Sequence, residues 1–336
     1  MSVNRKNFRK RIRRRQQQHN QFEDEVLDQS CYIVRHEYIQ NYFEKNALKF
    51  KQHPKLNNPH QRDLLRHAMY KVYGRGLILI CVDVETWEQA PKGETHILEV
   101  GVSIYDPRGQ QHLSTPNVKT YHLVNSDNLK LKNGRYVPNH REYFMWATLW
   151  RMSLLLIKIF IQGLFDYYSG LKQWSSVLVG HGLQNDIKYL RHMGIEHPFV
   201  HTIDTEKLFA LSRNKTDKTN LRTALKETMI LSGYMHNGAN DAYYTLQLLF
   251  KLADPELRTL LKLDDVKFPR NVTPKINKLS EKTPSAEFAN PEAYTAMGFA
   301  LPEPLEELKQ FFDWVYDDDQ DDDCRCNGHS KRFRHG

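Results

Sequence analysis

The sequence predicts an α/β domain built on a mixed five-stranded sheet, three antiparallel strands followed by parallel ones, with helices on both faces. Three observations predict it. Residues 77–82 are six apolar residues in a row, preceded by Gly76 and followed by acids, the pattern of a buried central strand. Residues 96–105 and 118–124 are two more β-rich stretches, separated by the turn signal Asp106-Pro107-Arg108-Gly109, which suggests an antiparallel meander. From residue 146 onward, helical periods alternate with short strands, as in a sheet with crossover helices.

The elements follow in chain order. Residues 1–22 read as a disordered basic, Gln-rich arm. Residues 23–73 read as a mainly helical extension packed on the main domain, with Tyr38, Ile39, Tyr42 and Phe43 among its apolar residues and a break at 54–60. After the first strand, 87–95 form a loop. Residues 125–145 are a polar insertion with turns at Asn133-Gly134 and Pro138-Asn139. Leu149, Met152, Leu155, Leu156, Ile159 and Phe160 recur at a helical period, which predicts a helix over 146–174. Strands at 177–180 and 197–204 flank a helix at 183–193. Helices at 205–211 and 220–228 precede a closing helix at 238–252. Periodicity then fades, and Pro274, Pro284 and Pro291 interrupt it. The expected organisation is the arm 1–22, the extension 23–73, a domain at 74–253 and an irregular C-terminal extension at 254–336 with an acidic run at 317–323.

Composition narrows the class. The net charge is +8, but residues 1–15 hold eight basic residues and no acid, leaving 40 Lys+Arg against 40 Asp+Glu elsewhere. The excess charge sits in one arm, which suits a phosphate backbone or a nuclear address. A mitochondrial presequence fits the arginines but not the Gln run. The four cysteines form no disulfide framework, so a reducing compartment is expected. Cys324, Cys326 and His329 are too few for a closed zinc site. The apolar stretch 154–165 contains Lys158 and is too short to span a bilayer, so no membrane association is expected.

The chemistry begins at residues 83–86, Asp-Val-Glu-Thr. Side chains alternate along a strand, so Asp83 and Glu85 share a face. Two neighbouring acids at the end of a buried strand repel each other unless a cation lies between them, and oxygen ligands suit Mg²⁺ or Mn²⁺. Two further stretches join this one. Residues 179–190 carry Asp186 where a strand gives way to a helix. Residues 236–243 carry His236 and Asp241 at the start of the closing helix. Taken singly, Asp186 and Asp241 also read as helix-start acids that answer the macrodipole, and His181 as a structural histidine.

Together these stretches resemble the DEDDh 3′–5′ exonucleases of the ribonuclease H-like superfamily, whose pattern is Asp-x-Glu, a mid-chain Asp, then His-x-x-x-x-Asp. The resemblance covers roughly residues 75–253. A narrower likeness, over 132–141 and 236–246, is to the fungal Gfd-like branch linked to DEAD-box helicase activity in mRNA export. The resemblance implies two Mg²⁺ or Mn²⁺ ions held by Asp83, Glu85, Asp186 and Asp241, with His236 as general base. It implies nucleotide contacts by Thr86 and Trp87, although Trp87 could equally cap the core. It implies nucleic acid (RNA or single-stranded DNA) as substrate, and an RNA-helicase or ribonucleoprotein partner. The expected activity is metal-dependent 3′–5′ exonuclease cleavage. The alternative is a catalytically weak or inactive nuclease-fold adaptor that binds nucleic acid in mRNA export or ribonucleoprotein assembly. The location expected is nuclear or cytoplasmic, with mitochondrial as the alternative. Gly182 and Asn185 depart from the family's second motif.

Overall fold

A computed structural model describes residues 29–265, apart from 111–112, 114, 146–148, 172–173 and 215–217. The basic arm, the acidic run and the Cys324/Cys326/His329 group lie outside the described residues.

Three helices come first: α1 (Gln29–Lys45), α2 (Ala47–Gln52) and α3 (Pro59–Val72). Asn58 starts α3 by accepting from the backbone N–H groups of His60 and Gln61, with Pro59 pre-set for the first turn. The strands are β1 (Leu77–Thr86), β2 (Ile97–Tyr105), β3 (Val118–Asn125), β4 (Trp150–Met152), β5 (Ser175–Gly180) and β6 (Thr202–Asp204). Between and after them lie α4 (Leu154–Ser169), α5 (Gln184–His192), α6 (Thr205–Ser212), α7 (Leu221–Glu227), α8 (Gly238–Ala253) and α9 (Pro255–Leu260).

The strand order is β4-β3-β2-β1-β5-β6. β2 runs antiparallel to its neighbours β1 and β3, while β5 and β6 run parallel to β1. This is the expected mixed sheet, antiparallel strands followed by parallel ones, with one correction: it has six strands rather than five. Residues 150–152, expected inside a helix, instead pair in parallel with Leu123, Val124 and Asn125. The helix starts only at Leu154, where Ser153 caps the N–H of Leu156. A helical period in residues 149–152 therefore lost to an open edge on β3 that could take backbone hydrogen bonds. The last strand is also shorter than expected, covering 202–204 rather than 197–204.

β1 divides the core by its alternation. Ile78, Ile80, Val82 and Val84 pack with α4 and α5 on one face, with Phe160, Phe165, Ile187 and Leu190. Leu79 and Cys81 pack with α3, α7 and α8 on the other, with Met69, Leu225 and Leu249. Asp83 and Glu85 continue this second series, so they face the α8 layer.

Although periodicity fades after residue 253, α9 forms with Asp254 capping it. Arg258, fully buried on α9, pairs with Asp264 and also donates to Ser212 Oγ (2.6 Å) and to the Tyr42 hydroxyl (3.3 Å). This network ties residues 255–264 to α1 and α6. Among the described residues no helix is long and apolar enough to cross a membrane.

Candidate active site

β1 pairs with β5 only as far as Cys81, opposite Val179. Beyond that point the β5 side of β1 is open. Asp186, in the first turn of α5, fills the gap: its Oδ1 accepts the Val84 N–H at 3.1 Å. This bond brings a carboxylate from the opposite helical layer to the end of β1. Asp186 is 7% exposed.

α8 delivers the next two groups. Asn237 caps the helix by accepting the Asn240 N–H at 3.1 Å. Asp241 lies in the first turn, and its Oδ2 accepts the N–H of His236 at 2.9 Å. The four-residue spacer between His236 and Asp241 thus has a local cause: the carboxylate anchors the residue just ahead of the cap. His236 sits at φ +67°, in the left-handed region that is costly for a side chain. Its Nδ1 lies 3.9 Å from Glu85 Oε1. One ligand atom each from Glu85, His236 and Asp241 lie within 4.8 Å of one another.

Burial makes this cluster electrostatically costly. The Asp83 and Glu85 carboxyls are pushed well above the ordinary range, first by desolvation. For Asp83 the neighbouring charges of Asp186, Asp241 and Glu85 add to the shift. Asp186 and Asp241 are each raised to about 7, with burial as the leading cause. Asp241 Oδ1 is buried and lacks a hydrogen-bond partner. Four carboxylates that repel one another, one of them with an unpartnered buried oxygen, form an all-oxygen donor set suited to hard divalent cations. His236 is shifted the other way. Burial lowers its pKa, and Arg222 and His140 nearby lower it further, which favours the neutral ring.

One carboxylate here was passed over in the sequence. Glu99 lies directly opposite Glu85 across β1 and β2 and is 2% exposed. Like charges so placed repel, but Glu99 has its own partners. Oε1 accepts the Gly238 N–H at 2.9 Å, Oε2 accepts His122 Nε2–H at 3.0 Å, and Arg141 Nε lies 3.9 Å away. Glu99 therefore holds the start of α8 against β2. Its signal was available: it is the one acid in a nine-residue strand buried throughout.

The other expected residues sit nearby in different settings. The Thr86 carbonyl accepts from Asn133 Nδ2 at 3.0 Å. The Trp87 ring packs edge-on against His96, with centroids 5.7 Å apart. His181 is a structural histidine, bonded through Nδ1 to Thr205 Oγ1 (2.9 Å) and through Nε2 to the Thr219 carbonyl (2.6 Å). Asn185 points to the exposed side of α5, and Gly182 adopts φ +73° while donating to Asp204.

Residues 78–252 match the DEDDh_C family model, described as DNA polymerase III subunit epsilon-like, C-terminal domain. The chain is 32% identical over 216 residues to Good for full DBP5 activity protein 2 of Saccharomyces cerevisiae, covering 56% of this chain and 38% of that protein. It is 30% identical over 143 residues to the uncharacterized nucleolar protein C2C4.08 of Schizosaccharomyces pombe, covering 40% of this chain and 56% of that one. The chain thus spans less than two thirds of the length of these curated relatives. A solved structure of a 3′-exonuclease, described by its 3′-end specific recognition of histone mRNA stem-loop, is similar with a TM-score of 0.38 at 12% identity, covering 57% of this chain and 73% of that one. With its model matched over more than half of the 336 residues, the chain belongs to the DEDDh family of DNA polymerase III epsilon-like domains.

Proposed function

We propose that this protein is a metal-dependent 3′–5′ exonuclease acting on RNA or single-stranded DNA. The observation that carries the reading is the set of four mutually repelling carboxylates, the buried Asp186 and Asp241 and the half-buried Asp83 and Glu85, with Glu85 and Asp241 clustered around His236. These four would hold two Mg²⁺ or Mn²⁺ ions. Bound there, the ions would stabilise the charge that builds on the attacking and leaving oxygens of a phosphodiester.

The chain's own residues do the rest. Asp186 and Asp241 are fixed by backbone N–H groups, so their carboxylates stay oriented when substrate arrives. His236 presents Nδ1 to Glu85, which leaves Nε2 to take the proton of the attacking water. Its lowered pKa keeps it neutral and able to accept that proton near pH 7. Thr86, at the end of β1, and Trp87, just after it, are proposed to meet the terminal nucleotide. An RNA-helicase partner follows the name of the Saccharomyces cerevisiae relative, and a nuclear location agrees with the nucleolar description of the Schizosaccharomyces pombe one.

The test is degradation of 5′-labelled single-stranded RNA and DNA by the purified protein, beside Asp83→Ala and His236→Ala, with Mg²⁺, Mn²⁺ or chelator. A metal-dependent ladder shortening from the 3′ end and lost in both variants is expected. Absence of cleavage under every metal, with nucleic-acid binding retained, would replace the enzyme with an adaptor on the same fold.

A further inference from the structure

The polar insertion between β3 and β4 is pinned to the start of α8 by two fully buried asparagines. Asn237 Nδ2 donates to the carbonyls of His140 (3.0 Å) and Arg141 (3.2 Å). Asn240 Nδ2 donates to those of Tyr143 (3.0 Å) and Tyr234 (3.2 Å). One amide therefore ties together two tyrosines from distant parts of the chain. Their rings stack with centroids 4.9 Å apart and planes 7° apart. His140 closes edge-on against both, at 6.0 and 5.6 Å, and its Nδ1 lies 2.6 Å from the Met235 carbonyl.

An aromatic stack made for core packing is covered on both faces. This one reaches solvent: Tyr143 is 45% exposed and Tyr234 is half-buried. Tyr234 is also held at φ +48°, two residues before His236 at +67°. Such backbone conformations cost free energy and persist only where surrounding bonds impose them. The asparagine clamp supplies those bonds, and the result is a rigid, partly exposed pair of rings, one of them in the segment that carries His236.

We propose that the Tyr143–Tyr234 stack is a base-stacking platform for a single-stranded nucleic acid whose 3′ end enters the carboxylate site. Every nucleobase has a π-face, so the platform would be tolerant of sequence, and its preset rings lose little freedom on binding. The inference rests on the nuclease reading for the direction of the strand. Base stacking itself needs no cleavage, so the two can fail separately.

The experiment measures binding of the full chain to 3′-fluorescein-free, 5′-labelled 12-mers of RNA and of DNA in chelator, by fluorescence anisotropy. Wild type is compared with Tyr143→Phe, Tyr143→Leu and Tyr143→Ala. A second oligonucleotide set carries one abasic site, walked along the last few positions. Tyr143→Phe is expected to bind like wild type. Tyr143→Leu, which keeps bulk but loses the π-face, and Tyr143→Ala should bind about 5- to 100-fold more weakly. An abasic site at the stacked position should weaken wild type by a similar factor and leave Tyr143→Leu nearly unchanged. Equal affinities for wild type and Tyr143→Leu, or no binding by wild type, would overturn the platform. Cleavage of the same strands in Mg²⁺ is scored separately: stacking without cleavage would sink the nuclease and keep the platform. The RNA and DNA arms show which sugar the strand carries.

Discussion

Gly101 and Gly238 meet backbone to backbone: a Cβ on Gly101 would lie 2.0 Å from the Gly238 carbonyl oxygen. Gly101 is also the residue paired across the sheet with Asp83. The close approach therefore seats the first turn of α8, and with it Asp241, beside the first acid of β1. Gly101→Ala should force α8 off the sheet and destabilise the protein by about 3 kcal/mol. Urea denaturation checks this; an unchanged midpoint would mean that the helix and sheet do not touch there.

Glu99 is expected to act by positioning. Glu99→Gln leaves one oxygen to accept, so either Gly238 N–H or His122 loses its partner in a buried setting. The expected loss is roughly 1–3 kcal/mol in chemical denaturation, with Glu99→Ala worse. A variant as stable as wild type would show that the bond to Gly238 does not hold α8.

The raised carboxyls fix a pH dependence for the metal-free protein. Asp186 and Asp241 move from 3.8 in the unfolded chain to about 7 when folded. A folded pKa above the unfolded one means the native state binds more protons, so the stability these two carboxyls contribute is full below about pH 4 and is lost as pH rises through about 7. In chelator, Asp186→Asn and Asp241→Asn should each equal wild type near pH 4 and exceed it above pH 7, by up to roughly 4 kcal/mol. Added Mg²⁺ should narrow the gap by stabilising wild type alone. Melting curves across pH with and without Mg²⁺ decide this; variants less stable than wild type at pH 8 in chelator would contradict it.

His236→Gln should lower the cleavage rate roughly 10²- to 10⁴-fold, the usual contribution of a general base, with little change in melting temperature. The ring is 41% exposed, and the bond to Asp241 uses the backbone N–H, which the substitution keeps. Full activity in that variant would assign the proton transfer to another group.

Asp264→Ala should be among the most damaging changes far from the site. It strands the fully buried Arg258 guanidinium, and removing one partner of a buried pair costs about 3–5 kcal/mol. Loss of cooperative unfolding, or a large drop in midpoint, is expected; a neutral result would show that residues 255–264 are not part of the folded unit.

Much of this was written locally in the chain. The apolar run 77–82 made a central strand inevitable, and its alternation put Asp83 and Glu85 on one face. Asn58, Asn220 and Asn237 started their helices by bonds that span two or three residues. The bond from His236 to Asp241 is equally local, because five residues suffice to make it. Pairings between distant segments could not be read in this way. The three residues of β4 have a helical period and became a strand because β3 had a free edge. Glu99 looked like an isolated acid until α8 placed the Gly238 N–H against it. Asp186 reached Val84 only because β5 stops pairing at Cys81. Helix starts and strand faces follow from bonds between near neighbours and the two-residue period. Edges, clamps and repelling carboxylates arise when segments a hundred residues apart compete for the same backbone groups, and only the packed sheet decides which of them wins.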